Sequence, residues 1–227
     1  MYLKINHIHV WQVALDWSQD ELEQAQLLLS VEEQARKQRF VHSTQQNYFL
    51  AARAALRTIL SHYLATEPAS LNLVINEHGK PYLADQTLAF NLTHSHQLAL
   101  VAVSYSDVGI DVEYQQPKSL LPIARRFFHT DEIAYLENLP QQQQLAAVYQ
   151  MWTRKEAIVK CLGQGLLINI KNFCCLPTAT TTLINQQTIH YANLNLTAEY
   201  AAAVASTEKF SWEWFSYTDF FRRHDND

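Results

Sequence analysis

Asp111 and Glu113 stand two residues apart in the apolar run Val108-Gly109-Ile110-Asp111-Val112-Glu113-Tyr114. A strand's period of two puts both carboxylates on one face, roughly 6–7 Å apart along the chain. Like charges so placed repel, and a divalent cation is a common reason to keep them. An oxygen-only donor set favours Mg²⁺. The alternative is an ordinary solvated strand face. Trp152, Glu156 and Lys160 recur every four residues, so on a helix they share one side, with Lys155 flanking it. Glu156 could supply a third carboxylate, and Lys160 could meet a phosphate one turn on. The alternative is a surface Glu–Lys pair with Trp152 in the core.

Thr93-His94-Ser95 closes the segment Leu88-Ala89-Phe90-Asn91-Leu92. A histidine beside two hydroxyls in a tight connection could donate hydrogen bonds to an anion, or be a satisfied turn residue. Arg36, Lys37 and Arg39 form a basic group, followed by Arg53 and Arg57 one helical turn apart. The last two could hold a phosphate or pair with the acidic residues of 20–33. His7 and His9 alternate along a strand and could bind metal, but a partly exposed strand face is the preferred reading. No Ser or Cys has a convincing partner base; Cys161 falls behind the lysine face and is expected in the core.

These residues need elements to position them. Residues 2–13 alternate like a strand. Residues 20–38 are helical, with Ser30 as N-cap for 31–39 and Glu33 in the capping-box position. Residues 44–64 make a long Ala/Leu-rich helix, interrupted after Glu67-Pro68. Strands are expected at 71–76, 88–95, 98–104 and 108–114, with a turn at Glu77-His78-Gly79-Lys80. Helices then cover 119–128, about 130–138, and 141–163, the last ended by Gly163. Strand-like stretches follow: Phe173-Cys174-Cys175-Leu176, then segments at 180–185, 187–196, 200–206 and 210–218, before a polar tail. The fold class is α+β, with two similar halves, 1–105 and 106–227. No GxGxxG or GxxxxGK[ST] loop occurs, so dinucleotide-binding and P-loop folds lack their phosphate cradles.

Composition limits the function. Hydrophobic residues make up 48% of 227, including 10 Phe, 11 Tyr and 5 Trp, which excludes disorder. Seventeen basic against 22 acidic residues give a net charge of −5. A generic nucleic-acid binder is usually basic, so any polyanion site must be a local patch. No apolar run is long enough to span a membrane, no secretory signal is visible, and three cysteines make no disulfide framework. Cytoplasm is the expected compartment.

Taken together, Gly79-Lys80-Pro81, Phe90-Asn91-Leu92-Thr93-His94-Ser95, Gly109-Ile110-Asp111-Val112-Glu113, Trp152-Thr153-Arg154-Lys155-Glu156-Ala157-Ile158-Val159-Lys160 and Gly163-Gln164-Gly165-Leu166 strongly resemble the 4′-phosphopantetheinyl transferases. Length and two-half layout resemble the Sfp-type subgroup, not the half-length holo-ACP-synthase type. The resemblance runs from about residue 30 to residue 166. It implies two α+β halves related by pseudo-twofold symmetry, with the active site in the cleft between them. The implied reaction moves the 4′-phosphopantetheine arm of coenzyme A onto a serine of an apo-acyl or peptidyl carrier protein, releasing 3′,5′-adenosine bisphosphate. Coenzyme A is then co-substrate and Mg²⁺ the metal, with Mn²⁺ as a substitute. A monomer, with no nucleic-acid or membrane partner, is expected.

By resemblance, Asp111, Glu113 and Glu156 are the metal carboxylates. Lys160 and His94 contact the diphosphate and, with Glu156, form the catalytic set. Glu156 would accept the serine proton, directly or through a metal-bound water. Gly79, Lys80 and Pro81 form the adenine-side loop. Thr93 replaces a more usual Ser and keeps the hydroxyl. Arg36 falls where a basic residue meets the 3′-phosphate, whereas Glu33 stands where a related enzyme has a second lysine. Residues 117–128, with Lys118, Arg125, Arg126, Phe127 and Phe128, would offer a basic and apolar patch to an acidic carrier. Carriers of fatty-acid, polyketide, nonribosomal-peptide, polyunsaturated-fatty-acid and siderophore synthesis all stay open. So do two rivals: a Mg²⁺-dependent phosphodiesterase or nuclease using the same carboxylates, and a non-catalytic carrier-binding homologue.

Overall fold

The computed structural model describes residues 1–116 and 121–222. Strand β1 (His7–Ala14) is followed by helices α1 (Gln19–Gln26), α2 (Val31–Lys37) and α3 (Ser43–Leu64). Then come a short hairpin, β2 (Leu73–Ile75) and β3 (Pro81–Leu83), and a longer one, β4 (Ala89–Ser95) and β5 (Leu98–Ser104). The order recurs as β6 (Val108–Tyr114), α4 (Leu121–Phe127), α5 (Thr130–Glu137), α6 (Gln141–Leu162), β7 (Thr181–Ile184), β8 (Gln187–Asn193) and β9 (Tyr200–Ser206). In the first half β1 pairs with β5 and β5 with β4; in the second, β6 pairs with β9 and β9 with β8, all antiparallel. Helices α3 and α6 each run 22 residues and stop at a left-handed residue, Ala65 and Gly163. The α+β class and the two similar halves are both present.

Alternation along the strands decides the layers. On β5, Ala99, Val101 and Val103 join Trp11, Val13 and the apolar side of α3 in one core. The intervening Leu100 and Ala102 join Ile8, Val10, Ile110, Val112 and Val204 in a second core between the two sheets. Helix α6 covers the far face of the second sheet through Ala157, Ile158 and Cys161. Cys161 is therefore core, as its position behind the lysine face implied. Ser30 caps α2, with Glu33 closing the capping box.

Three features depart from the sequence expectation. The last strand, β10 (Ser211–Ser216), lies parallel to β1 at the edge of the first sheet, and Phe215, Phe220 and Phe221 pack around Trp11. Residues 173–176 belong to no strand. Their backbone is held by buried charges instead: Lys155 Nζ donates to Phe173 O at 2.6 Å, and Arg154 Nη1 donates to Cys175 O and Leu176 O. Finally, the opening strand starts at His7, not at residue 2. His9 is buried on it with Nδ1 2.7 Å from Tyr63 Oη, so it serves packing.

Candidate functional site

Strand β6 crosses α6 along one face of each. Gly109, Asp111 and Glu113 point at the helix. Gly109 is where the two backbones meet: a Cβ there would lie 2.0 Å from Ala157 O and 2.3 Å from Cys161 N. That close approach brings Lys160 over Asp111, with Nζ 2.5 Å from Oδ1 and 3.2 Å from Thr93 Oγ1. Thr93 Oγ1 also donates to Asp111 Oδ1 at 3.2 Å. Asp111 is 3% exposed, and its Oδ2 is buried with no hydrogen-bond partner. One strand register on, Ser95 Oγ donates to Glu113 Oε2 at 3.1 Å and accepts from Tyr114 N at 3.0 Å.

The three carboxylates feel one another. Burial pushes the Asp111 carboxyl up, opposed by the Lys160 charge and by hydrogen bonds from Lys160 and Thr93. Burial, then repulsion from Asp111, pushes Glu113 up; the same two causes raise Glu156. Their ligand atoms are nevertheless not drawn together. Among the described residues, the set whose ligand atoms all lie within 4.8 Å of one another is His129, Asp131 and Cys174. There His129 Nδ1 already accepts from Asp131 N as the cap of α5.

Above this floor lies a cleft of about 760 Å³ between the halves. The first half contributes Arg36, Arg53, Gly79, Lys80, Pro81 and Leu92; the second contributes Phe127, Trp152, Glu156, Val159, Lys160 and Ile170. The β2–β3 turn is clipped to the end of α6. Asn76 Oδ1 accepts from His78 N and Lys80 N, while its Nδ2 donates to Gly163 O at 3.0 Å. Gly163 (φ +64) ends α6 there in the left-handed region, and a Cβ on it would lie 3.1 Å from the Lys80 stem.

Of the residues singled out by sequence, Arg36, Gly79, Lys80, Pro81, Glu156 and Lys160 line the cleft. Asp111 and Thr93 lie beneath it. Glu113 lines a smaller adjoining recess of about 340 Å³ with Ser95, Ile123, Tyr149 and Trp152, and Trp152 borders both spaces. Lys80 presents its stem to the cleft, but its ammonium donates to Cys161 O at 2.9 Å and Val108 O at 3.1 Å. His94 is exposed on the α3 side of β4, where crowding and then the Lys160 and Arg53 charges hold its ring below the ordinary histidine range. The hydroxyls flanking it serve the carboxylates rather than an external anion. Arg57 is taken up by Glu33 at 2.7 Å, while Arg53 faces the cleft.

In the 117–128 patch, Lys118 lies outside the described residues. Phe128 is core, Arg125 pairs with Glu137, and Ile123 and Arg126 stay exposed. Asn76 and Asn91 were not singled out by sequence; Asn91 Oδ1 accepts from Ile110 N and ties the halves together. A small polar residue at every second position from 91 to 95 is the signal that could have found Asn91. Lys155, read as flanking the active face, is instead fully buried on Glu132 at 2.9 Å.

Residues 107–205 match a family model described as the 4′-phosphopantetheinyl transferase superfamily, and residues 15–106 match one for the 4′-phosphopantetheinyl transferase N-terminal region. The chain is 39% identical over 167 residues to the 4′-phosphopantetheinyl transferase HetI of Nostoc sp., covering 71% of this chain and 70% of that one. It is 30% identical over 157 residues to the 4′-phosphopantetheinyl transferase Sfp of Bacillus subtilis, covering 69% and 70%. To AcpT of Salmonella typhimurium it is 40% identical over 126 residues, covering 54% and 64%. These matches, one over each half, make the chain a two-half transferase. The chain belongs to the 4′-phosphopantetheinyl transferase superfamily, and transfer of 4′-phosphopantetheine to a carrier protein is its reaction.

Proposed function

We propose that coenzyme A lies in the 760 Å³ cleft and that the carrier serine reaches it beside Trp152, where the cleft and the smaller recess adjoin. The observation that carries this is the floor of the cleft: Lys160, Asp111 and Glu156 beneath a wall bearing two arginines, with Glu113 in the adjoining recess. Residues 1–105 and 106–227 supply opposite walls, with β10 returning to the first sheet. One chain provides both walls, which supports a monomeric active unit. Among the described residues no helix is long and apolar enough to cross a membrane. Three free cysteines suit a reducing compartment such as the cytoplasm.

The donor set fits Mg²⁺. Asp111 Oδ2 is buried without a partner, and Asp111, Glu113 and Glu156 are oxygen donors whose burial raises the proton affinity of each, with Asp111 adding to it at the other two. These three would hold the cation, which supplies charge neutralisation on the diphosphate when bound. The chain's own residues do the rest. Lys160 leaves Asp111 to meet the diphosphate oxygens, with His94 alongside. The serine oxygen attacks the phosphorus next to the pantetheine arm, the phosphoanhydride bond breaks, and 3′,5′-adenosine bisphosphate leaves. Glu156, whose raised proton affinity suits a base, takes the serine proton directly. Thr93 and Ser95 hold the two strand carboxylates in place.

Incubating the protein with coenzyme A, Mg²⁺ and a panel of apo-carrier proteins tests this. At least one carrier should gain the mass of the 4′-phosphopantetheine arm only when both are present. Unmodified carriers alongside hydrolysis of a simple phosphodiester would contradict it.

A further inference from the structure

One buried carboxylate fixes two segments of the second half against each other. Glu132 is fully buried; its Oε2 accepts from His129 N at 2.8 Å and its Oε1 from Cys175 N at 2.6 Å. Lys155 neutralises it at 2.9 Å and also donates to Phe173 O, so the backbone is pinned on both sides of Cys174. The start of α5 and residues 173–175 are thereby held in a set relation. The side chains they bring together are His129, Asp131 and Cys174, whose ligand atoms all lie within 4.8 Å of one another. His129 Nδ1 stands 3.5 Å from Asp131 Oδ2. Nitrogen and oxygen ligands about 2.0–2.2 Å from a tetrahedral ion stand roughly 3.4 Å apart, so this pair is already at ligand spacing. The bond that an ion at Nδ1 would replace is the 3.2 Å cap from Asp131 N. Asp131 is exposed, so that N–H turns to water instead. His129 and Cys174 are half-buried, which leaves one open side for an ion to enter and for water to complete its shell.

Donor chemistry selects the ion. An imidazole nitrogen, a thiolate and a carboxylate suit a borderline-soft divalent transition ion, whereas Mg²⁺ and Ca²⁺ take oxygen ligands. We propose that His129, Asp131 and Cys174 form a second metal site, of the Zn²⁺ class, with three protein ligands and one water in a tetrahedron. Cys174 gives its thiol proton to solvent as the ion binds. The thiolate and the Asp131 carboxylate then carry two negative charges, which outweigh the roughly half a positive charge at the N-terminus of α5. The Glu132–Lys155 pair beneath them is neutral in sum. None of Asp111, Glu113 and Glu156 belongs to this site, so it stands or falls independently of the transfer floor. The bound ion clips α5 to the segment that carries Ile170 into the cleft wall.

Titration of the reduced protein with Co²⁺, in excess Mg²⁺ to load the oxygen ligands of the floor, tests it. A thiolate ligand gives Co²⁺ an intense near-ultraviolet charge-transfer band that oxygen ligands do not give. The wild type should develop this band up to one equivalent, and Zn²⁺ should abolish it by displacement. Cys174→Ser should lose the band, which separates Cys174 from the buried Cys161 and Cys175. His129→Asn, which keeps a cap acceptor for α5, should weaken Zn²⁺ binding at least about 10-fold. Zn²⁺ should raise the Tm of the wild type and leave that of Cys174→Ser unchanged. A wild type without the band, a band that survives Cys174→Ser, or Zn²⁺ affinity within about twofold of wild type in both variants would overturn the proposal and leave the three residues as a helix cap and its neighbours. The wild-type spectrum decides even where a variant fails to fold.

Discussion

Lys160 Nζ sits 2.5 Å from Asp111 Oδ1, while the other oxygen of that carboxylate is buried without a partner. One ammonium therefore answers half of a buried carboxylate whose neighbours, Glu113 and Glu156, are also acidic. The arrangement is underneutralised, and that has measurable consequences.

The first is a metal- and pH-dependent stability. Burial raises the proton affinity of all three carboxylates in the folded, metal-free protein, and repulsion from Asp111 adds to it at Glu113 and Glu156. A raised folded-state value means the folded form holds the proton more tightly than the unfolded form. The stability from this cluster is then fully present at low pH and lost as pH rises through the raised values. Mg²⁺ should increase Tm more at about pH 8 than at about pH 5. Asp111→Asn should abolish that increase and keep or raise the metal-free Tm. Equal Mg²⁺ shifts at both pH values would argue against carboxylate ligation.

The second concerns Gly109. Its missing Cβ lets β6 touch the α6 backbone, and backbone on both sides leaves nothing to give way. Gly109→Ala should cost at least about 1–3 kcal/mol by overpacking and displace Asp111 from Lys160, lowering activity as well. Denaturant melts and transfer rates check both. A variant with wild-type stability would show that the contact can relax.

A third follows from Lys155 and Glu132, each 0% exposed in its side chain. Glu132 also accepts from Cys175 N and His129 N, and Lys155 donates to Ile170 O and Phe173 O. Glu132→Gln should leave a buried ammonium underpaired and cost about 3–5 kcal/mol. The double change Glu132→Leu with Lys155→Met should cost less than the sum of the two single changes. Urea unfolding of Glu132→Gln and of the two single changes and the double decides; additive losses would mean the two residues act independently.

Much of this was legible in the sequence where periodicity carries the information. Asp111 and Glu113 share a face because strands alternate, and Glu156 and Lys160 share one because helices repeat nearly every four residues. What periodicity does not reveal is which charges become buried. Lys155 and Arg154 look like neighbours of the active stripe, yet they organise residues 170–177 and leave 173–176 without a strand partner. The parallel pairing of β10 with β1 joins residues about two hundred positions apart and leaves no turn signal between them. Asn76 and Asn91 act through backbone groups of the opposite half, a relation visible only once the halves meet.

The central claim is that the β6–α6 floor performs the transfer, with Glu156 as base and Lys160 as diphosphate contact. Single-turnover transfer to an apo-carrier, set beside calorimetric coenzyme A binding without metal, tests it most directly on Glu156→Gln and Lys160→Ala. Glu156→Gln should bind coenzyme A within about twofold of wild type but transfer about 10²–10⁴-fold more slowly, the range for a lost general base. Lys160→Ala should lose both binding and transfer, because the diphosphate is charged before and during reaction. If both variants bind and transfer within about twofold of wild type, as expected of a surface ion pair worth only tenths of a kcal/mol, the floor is structural and the account is contradicted.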